Sequence, residues 1–265
     1  MYEQNLKNIE DKFKEFSFLV KNCKICKGKG YKFDLNKTNG LIVGNKAQQC
    51  ECIKKMSNYA LFKNANIPSE YYELEMSDFL SKPENIKIQE MVQGVVDNIM
   101  TFHEGGWGLL FYGGPGTGKS MLAVEVLKKA LKTDLTGYYE WFPIIIDALM
   151  KKGFSADPKK DFYNNIFEKK DVLVIDELGK ETQDNYSFNK KDISRILEIN
   201  ILKKRSNKTT ILISNISNIN DLDKQYGDYV ASVIRQKFKM LNLVSTDFRT
   251  RGGVESFFNS ISKGE

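Results

Sequence analysis

Residues 113–120 read Gly113-Gly114-Pro115-Gly116-Thr117-Gly118-Lys119-Ser120, an instance of G-x-x-x-x-G-K-[ST]. Such a loop works only between a strand and a helix. Its glycines let backbone N–H groups curl around phosphates at a helix N-terminus. Lys119 then reaches the outer phosphates, and Ser120 can ligate Mg2+. The flanks comply: Leu109–Tyr112 is a short apolar run, and Ser120–Leu131 has a helical pattern. The rest of the chain continues the alternation. Further strands are expected at Tyr138–Phe142, Val172–Ile175, Thr209–Ser214 and Leu243–Ser245. Helices are expected at Ser81–Phe102, Ile144–Lys151, Lys191–Lys204 and Asp228–Met240. Strands alternating with helices imply an α/β fold whose mainly parallel sheet is covered on both faces.

Two strand ends complete a phosphate-handling set. Val172-Leu173-Val174-Ile175 runs into Asp176-Glu177. In a parallel sheet this places two carboxylates beside the phosphate loop, at the carboxyl ends of the strands. Asp176 would hold Mg2+, and Glu177 would orient and deprotonate an attacking water. Thr209–Ser214 ends on Asn215, an amide able to hold that water or sense the γ-phosphate.

The four cysteines stand apart from this set. Cys23-x2-Cys26 and Cys50-x-Cys52 form two close pairs, each able to supply two thiolates to one tetrahedral ion. The expected ligand is a structural Zn2+, since four protein ligands leave no open position. Zinc binding can supply on the order of 10 kcal/mol to a module too small for a core of its own. His103, the sole histidine, is remote from them in sequence. Residues 5–20 place Leu6, Ile9, Phe13, Phe16 and Val20 on one helical stripe, read as packing on its own domain, with a docking helix for a partner protein as the alternative.

Composition excludes several classes. At 41% hydrophobic and 28% charged, the chain is neither disordered, collagen-like nor a disulfide scaffold. No apolar run reaches the ~18 residues of a membrane span. The first residues lack a secretory pattern, so a soluble cytoplasmic protein is expected. The net charge of +6 is uneven. Residues 1–60 hold 12 lysines against six acidic residues, and the remainder is balanced at 28 against 28. An N-terminal basic face suits an acidic partner surface better than a coating of DNA. All five arginines, Arg195, Arg205, Arg235, Arg249 and Arg251, come late in the chain. In a chain rich in lysine, each is a candidate for a task that needs the guanidinium fork.

Taken in order, the phosphate loop, the Asp-Glu strand and the polar strand end resemble an AAA+ ATPase. Several segments resemble the DnaC/DnaI-type replicative helicase loaders. These are Ala65-Asn66-Ile67-Pro68-Ser69-Glu70-Tyr71-Tyr72, Asp176-Glu177-Leu178-Gly179-Lys180-Glu181, Ser214-Asn215-Ile216, Tyr226-Gly227, Ser232-Val233-Ile234-Arg235 and Asp247-Phe248-Arg249. The N-terminal cysteine pairs also suit that family. The resemblance covers nearly all of residues 60–252, and residues 20–55 more loosely. It implies ATP as cofactor, with Arg235 as the finger reaching a neighbouring subunit's nucleotide and Arg249 as the sensor contacting its own. The family often has Ser-Arg adjacent where this chain has Ser232-Val233-Ile234-Arg235, so Arg195 and Arg205 stay open as alternatives.

The expected division is a helical, zinc-binding helicase-interaction module at 1–60, a linker at 61–80 and the AAA+ domain at 81–265. The implied function is ATP-dependent loading of a DnaB-type helicase hexamer onto single-stranded DNA, with self-association through the AAA+ domain. Lys151, Lys152, Lys159 and Lys160, with Phe154 and Phe162, are candidate DNA contacts. The alternative is a transposition helper of the IstB type, against which the cysteine module argues.

Overall fold

The computed structural model describes residues 13–38, 41–79, 82–150, 158–179 and 190–244. The chain divides into two compact units, 1–65 and 66–265.

In the first unit a 3-10 turn at Lys14–Phe16 leads into the one-turn helix α1 (Phe18–Lys21). The expected stripe survives as Phe13, Phe16 and Val20, which pack against the cysteines; Leu6 and Ile9 lie outside the described residues. Strands β1 (Tyr31–Thr38) and β2 (Leu41–Gln49) then form an antiparallel hairpin, with Tyr31 opposite Gln49. The hairpin returns the chain to its start, where the Cys50 N–H donates to the Gly30 carbonyl at 2.8 Å. Helix α2 (Glu51–Asn64) buries Cys52, Ile53, Met56, Tyr59 and Phe62 along one face. It therefore runs into the start of the linker expected at 61–80. Asn66, with φ +57°, opens the second unit.

The second unit begins with short 3-10 turns, then α3 (Ile86–Asp97) and α4 (Ile99–Glu104). These two cover the single helix expected at 81–102, broken at Asn98, whose side chain folds back onto the Gly94 carbonyl at 2.9 Å. From there the elements run β3 (Gly108–Tyr112), α5 (Lys119–Leu131), β4 (Gly137–Trp141), α6 (Phe142–Met150) and α7 (Pro158–Lys169). Next come β5 (Val172–Leu178), α8 (Lys190–Ile196), a π-helical turn at Leu197–Lys203 and β6 (Thr209–Ser214). The unit closes with α9 (Asp221–Tyr226), α10 (Asp228–Lys237) and β7 (Phe238–Asn242).

The five strands β3–β7 form one parallel sheet in the order β4-β5-β6-β3-β7. β6 is buried at every position and β3 at all but its last, as strands covered on both faces must be. Phe142, Phe167, Leu173, Ile175, Leu197 and Leu212 fill the larger core. β3 lies between β6 and β7, and the chain leaves it toward the far edge of the sheet. The loop after β3 thus stands at a topological switch point, where a ligand crevice opens.

One expected helix and one expected strand need correction. The helix read as Asp228–Met240 stops at Lys237, and Phe238 turns extended (φ −113°, ψ 132°). Among the described residues the last strand is Phe238–Asn242, and Leu243 and Val244 of the strand expected at Leu243–Ser245 lie beyond its end. Pairing with β3 from Gly108 to Tyr112 outweighs the helical pattern of the sequence there. Among the described residues no helix is long and apolar enough to cross a membrane.

Candidate active site and cysteine centre

The loop after β3 is braced from several sides. The Gly113 N–H donates to the Ile216 carbonyl at 3.1 Å, and the Leu243 N–H to the Tyr112 carbonyl at 2.8 Å. Gly113 has φ +128°, and a Cβ there would lie 2.2 Å from the Leu243 carbonyl oxygen. Only glycine fits that position. Lys119, 5% exposed, points back into the loop. Its Nζ donates to the carbonyls of Gly113 (2.9 Å) and Gly114 (2.5 Å). The Thr117 hydroxyl donates to Gly114 O at 3.1 Å. The ammonium is therefore centred on whatever the loop encloses, at the N-terminus of α5.

The carboxylates sit across from it on a bulge. Register between β5 and β6 breaks between Ile175 and Leu178, and Glu177 has φ +61°, rare for a residue with a Cβ. This bulge re-aims the strand end, and Glu177 lines the crevice. Asp176 is 6% exposed and fully engaged. Its Oδ2 accepts from Ser120 Oγ at 2.7 Å and from the Tyr139 hydroxyl at 2.5 Å. Its Oδ1 accepts from the Glu177 N–H at 2.6 Å. Together these residues line a cavity of about 390 Å3, with Asn215 at the end of β6 on its wall. The segment 66–79 contributes Tyr71 and Phe79 to the same cavity. Lys119, Ser120, Asp176, Glu177 and Asn215 are thus brought together on one cavity. Ser120 and Asp176 fit a hard cation such as Mg2+, offering a hydroxyl and a carboxylate oxygen.

Residues 109–237 match the ATPase family associated with various cellular activities (AAA). The second unit carries an AAA domain. The solved structure of the DnaC helicase loader is similar at a TM-score of 0.54 and 24% identity, covering 67% of this chain and 100% of that one. DnaI is similar at 0.52 and 21%, covering 69% and 94%. Domain III of the Thermotoga maritima replication initiation protein DnaA follows at 0.51 and 20%, covering 75% and 77%. At these identities the likeness is one of fold. No curated protein matches the sequence.

Tyr139 and Trp141 escaped the sequence reading. Both lie on β4, two residues apart and so on one face of the AAA sheet, beside Asp176 on β5. The pairing of β4 with β5 exists only in the fold, so no local signal marks them. Burial and the nearby Asp176 charge push the Tyr139 phenol far above its ordinary pKa, so it remains a proton donor.

The arginines divide. Arg235, on α10, is not part of the cavity; it makes a two-pronged ion pair with Asp223, one arm at 2.9 Å. That guanidinium holds the Asp223 carboxyl below the usual range. Arg205 is buried in the protein interior, and Arg195 lies in the last turn of α8. Arg249 and Arg251 lie outside the described residues, as do Lys151, Lys152, Phe154 and the Lys180-Glu181 end of the Asp-Glu motif.

In the first unit the four cysteines converge, with every sulfur within 4.8 Å of the others. Most of the 23 residues between the pairs belong to β1 and β2, whose outer ends meet at Tyr31 and Gln49. Lys27 (φ +51°), Gly28 (+81°) and Gly30 (+72°) shape the first knuckle, while Cys50 and Cys52 flank the start of α2. Cys23 and Cys50 Sγ lie 3.8 Å apart, and Cys26 and Cys52 Sγ 3.6 Å. A tetrahedron with Zn–S bonds of about 2.3 Å has edges of about 3.8 Å, so the sulfurs fit zinc. All four thiols are free. The Cys26 N–H beside Cys23 brings that thiol's pKa down to about 7, which favours the ligating thiolate.

Proposed function

We propose that the protein is an ATP-dependent loader of a replicative DNA helicase onto single-stranded DNA. The observation that carries this reading is the convergence of Lys119, Ser120, Asp176, Glu177 and Asn215 on one cavity of an AAA fold. Likeness of fold to the DnaC helicase loader supports it, as does a separate cysteine unit suited to meeting a partner.

In this reading Lys119 and the loop N–H groups bind the phosphates of ATP. Ser120 and Asp176 hold Mg2+, which when bound neutralises charge developing on the phosphates. Glu177 takes the proton of the attacking water, and Asn215 orients that water. Arg235 acts in trans and Arg249 in cis, in a self-associated AAA+ assembly. Zinc in the four-cysteine site is structural, and the module it holds docks on the helicase. Single-stranded DNA contacts α7, where Lys159 and Lys160 are exposed beside the half-exposed Phe162 ring.

Glu177→Gln should bind ATP as tightly as the wild type but hydrolyse it at least ~100-fold more slowly in a phosphate-release assay. Hydrolysis at the wild-type rate would remove Glu177 as the base. Loading is tested with the full chain, ATP, circular single-stranded DNA and the replicative helicase of the same genome. Helicase should be retained on the circle only when the full chain is present. Equal retention without it overturns the loader reading.

A further inference from the structure

We infer that Tyr139 is a positioning residue of the nucleotide site, acting through Asp176 to set the affinity for the divalent cation. The inference rests on the ATP reading above and extends it to a residue outside the phosphate-loop and Asp-Glu motifs.

The argument starts from the donors on one carboxylate. Asp176 is almost wholly withdrawn from water, so its lone pairs must be met by the protein. Ser120 Oγ and Tyr139 Oη share Oδ2 at 2.7 and 2.5 Å, while the Glu177 N–H takes Oδ1 at 2.6 Å. Two of these three donors have other duties. Ser120 is the hydroxyl that the phosphate loop offers to the cation, and the Glu177 amide belongs to the bulge that aims the base. The Tyr139 O–H belongs to neither motif and is donated to Oδ2.

Tyr139 is itself held rigidly. It is buried on the edge strand β4, and its backbone carbonyl accepts from Asn66 Nδ2 at 2.9 Å. Trp141, two residues further along the same face of β4, lines the cavity beside it. A buried tyrosine needs an acceptor for its hydroxyl, and a purely structural one would serve equally well with any carbonyl. Here the acceptor is the oxygen shared with the cation-ligating serine. Partners of a metal-ligating carboxylate at one remove typically control affinity by 10–100-fold.

The test uses the full chain with Tyr139→Phe, which keeps the ring and deletes one oxygen. A fluorescent, non-hydrolysable ATP analogue is titrated with Mg2+, and its binding is measured separately in EDTA. Free Mn2+, followed by electron paramagnetic resonance, gives metal affinity directly. The expected result is a rise of about tenfold in the Mg2+ midpoint and in the Mn2+ dissociation constant. Binding in EDTA and the thermal midpoint should stay near wild type. Adding Tyr139→Phe to Asp176→Asn should change the Mg2+ midpoint less than about twofold, because the phenol acts through that carboxylate.

An unchanged Mg2+ midpoint in a folded Tyr139→Phe protein overturns the inference and leaves the ATP reading standing. An equal loss in EDTA assigns Tyr139 to the shape of the cavity and overturns it too. If Tyr139→Phe fails to fold, Tyr139→Met takes its place as the hydroxyl-free variant, and an unchanged Mg2+ midpoint or an equal loss in EDTA overturns the inference in the same way. Wild-type protein that binds the analogue without regard to Mg2+, or not at all, overturns the ATP–Mg2+ reading and this inference with it.

Discussion

Arg205 shows how much one side chain can settle. It is 2% exposed, and each of its five N–H donors is used. Nε donates to Thr210 Oγ1 at 2.9 Å, Nη1 to the Phe167 and Lys170 carbonyls, and Nη2 to those of Asp171 and Thr209. Burial draws its pKa down to about 10, against the pull of the Asp171 charge. The scarcity of arginine in a lysine-rich chain pointed to a task for the fork, and the fork is used here on four backbone carbonyls and a threonine hydroxyl. Lysine has three donors in another geometry, so Arg205→Lys leaves carbonyls unpaired around a buried charge. The variant should lose about 3 kcal/mol of stability in urea denaturation, with ATP affinity unchanged. A loss below ~1 kcal/mol would show that the fork is dispensable. Lys119, Asp176 and Glu177 were legible because their chemistry is written in contiguous residues. Tyr139 was not, because its role depends on a strand pairing between distant segments.

At the level of elements, legibility follows how local the determinants are. The strands β3 and β6 and helix α5 stand nearly where periodicity put them, since each is a strong pattern with clear ends. The end of α10 was missed because neither glycine nor proline marks it; only pairing with β3 makes Phe238–Asn242 a strand. The β1–β2 hairpin had an available signal, as Asn39-Gly40 stands between its strands in the sequence. Helices also carry avoidable weaknesses. Gly94 lies in α3 with no left-handed φ, and a Cβ there meets nothing within 4 Å. Gly94→Ala should therefore raise stability by about 0.5–1 kcal/mol, read as a higher urea midpoint at constant slope. A fall in midpoint would mean that the exposed face of α3 is constrained by something beyond its own backbone.

At the scale of the whole molecule, the two units draw on different sources of stability. The AAA unit has an extensive apolar core around its sheet. Among the described residues of the first unit, Cys26, Cys50 and Cys52 are half of one buried cluster, beside Val20, Ile53 and Met56. Its folding should therefore depend on metal. Freshly purified reduced protein should carry about one zinc per chain. Chelation should abolish the structure of residues 1–65 by circular dichroism while the calorimetric transition of the AAA unit stays in place. An unchanged spectrum after the metal is stripped would refute this. The bracing of Gly113 has a consequence for the timing of biosynthesis. Its N–H is taken by Ile216 and its backbone lies against Leu243, so the phosphate loop is completed by segments translated long after it. A growing chain would carry the nucleotide motif well before it could form the site. Nucleotide would then become a ligand only as the last described strand joins the sheet, which keeps unfinished chains from competing for it.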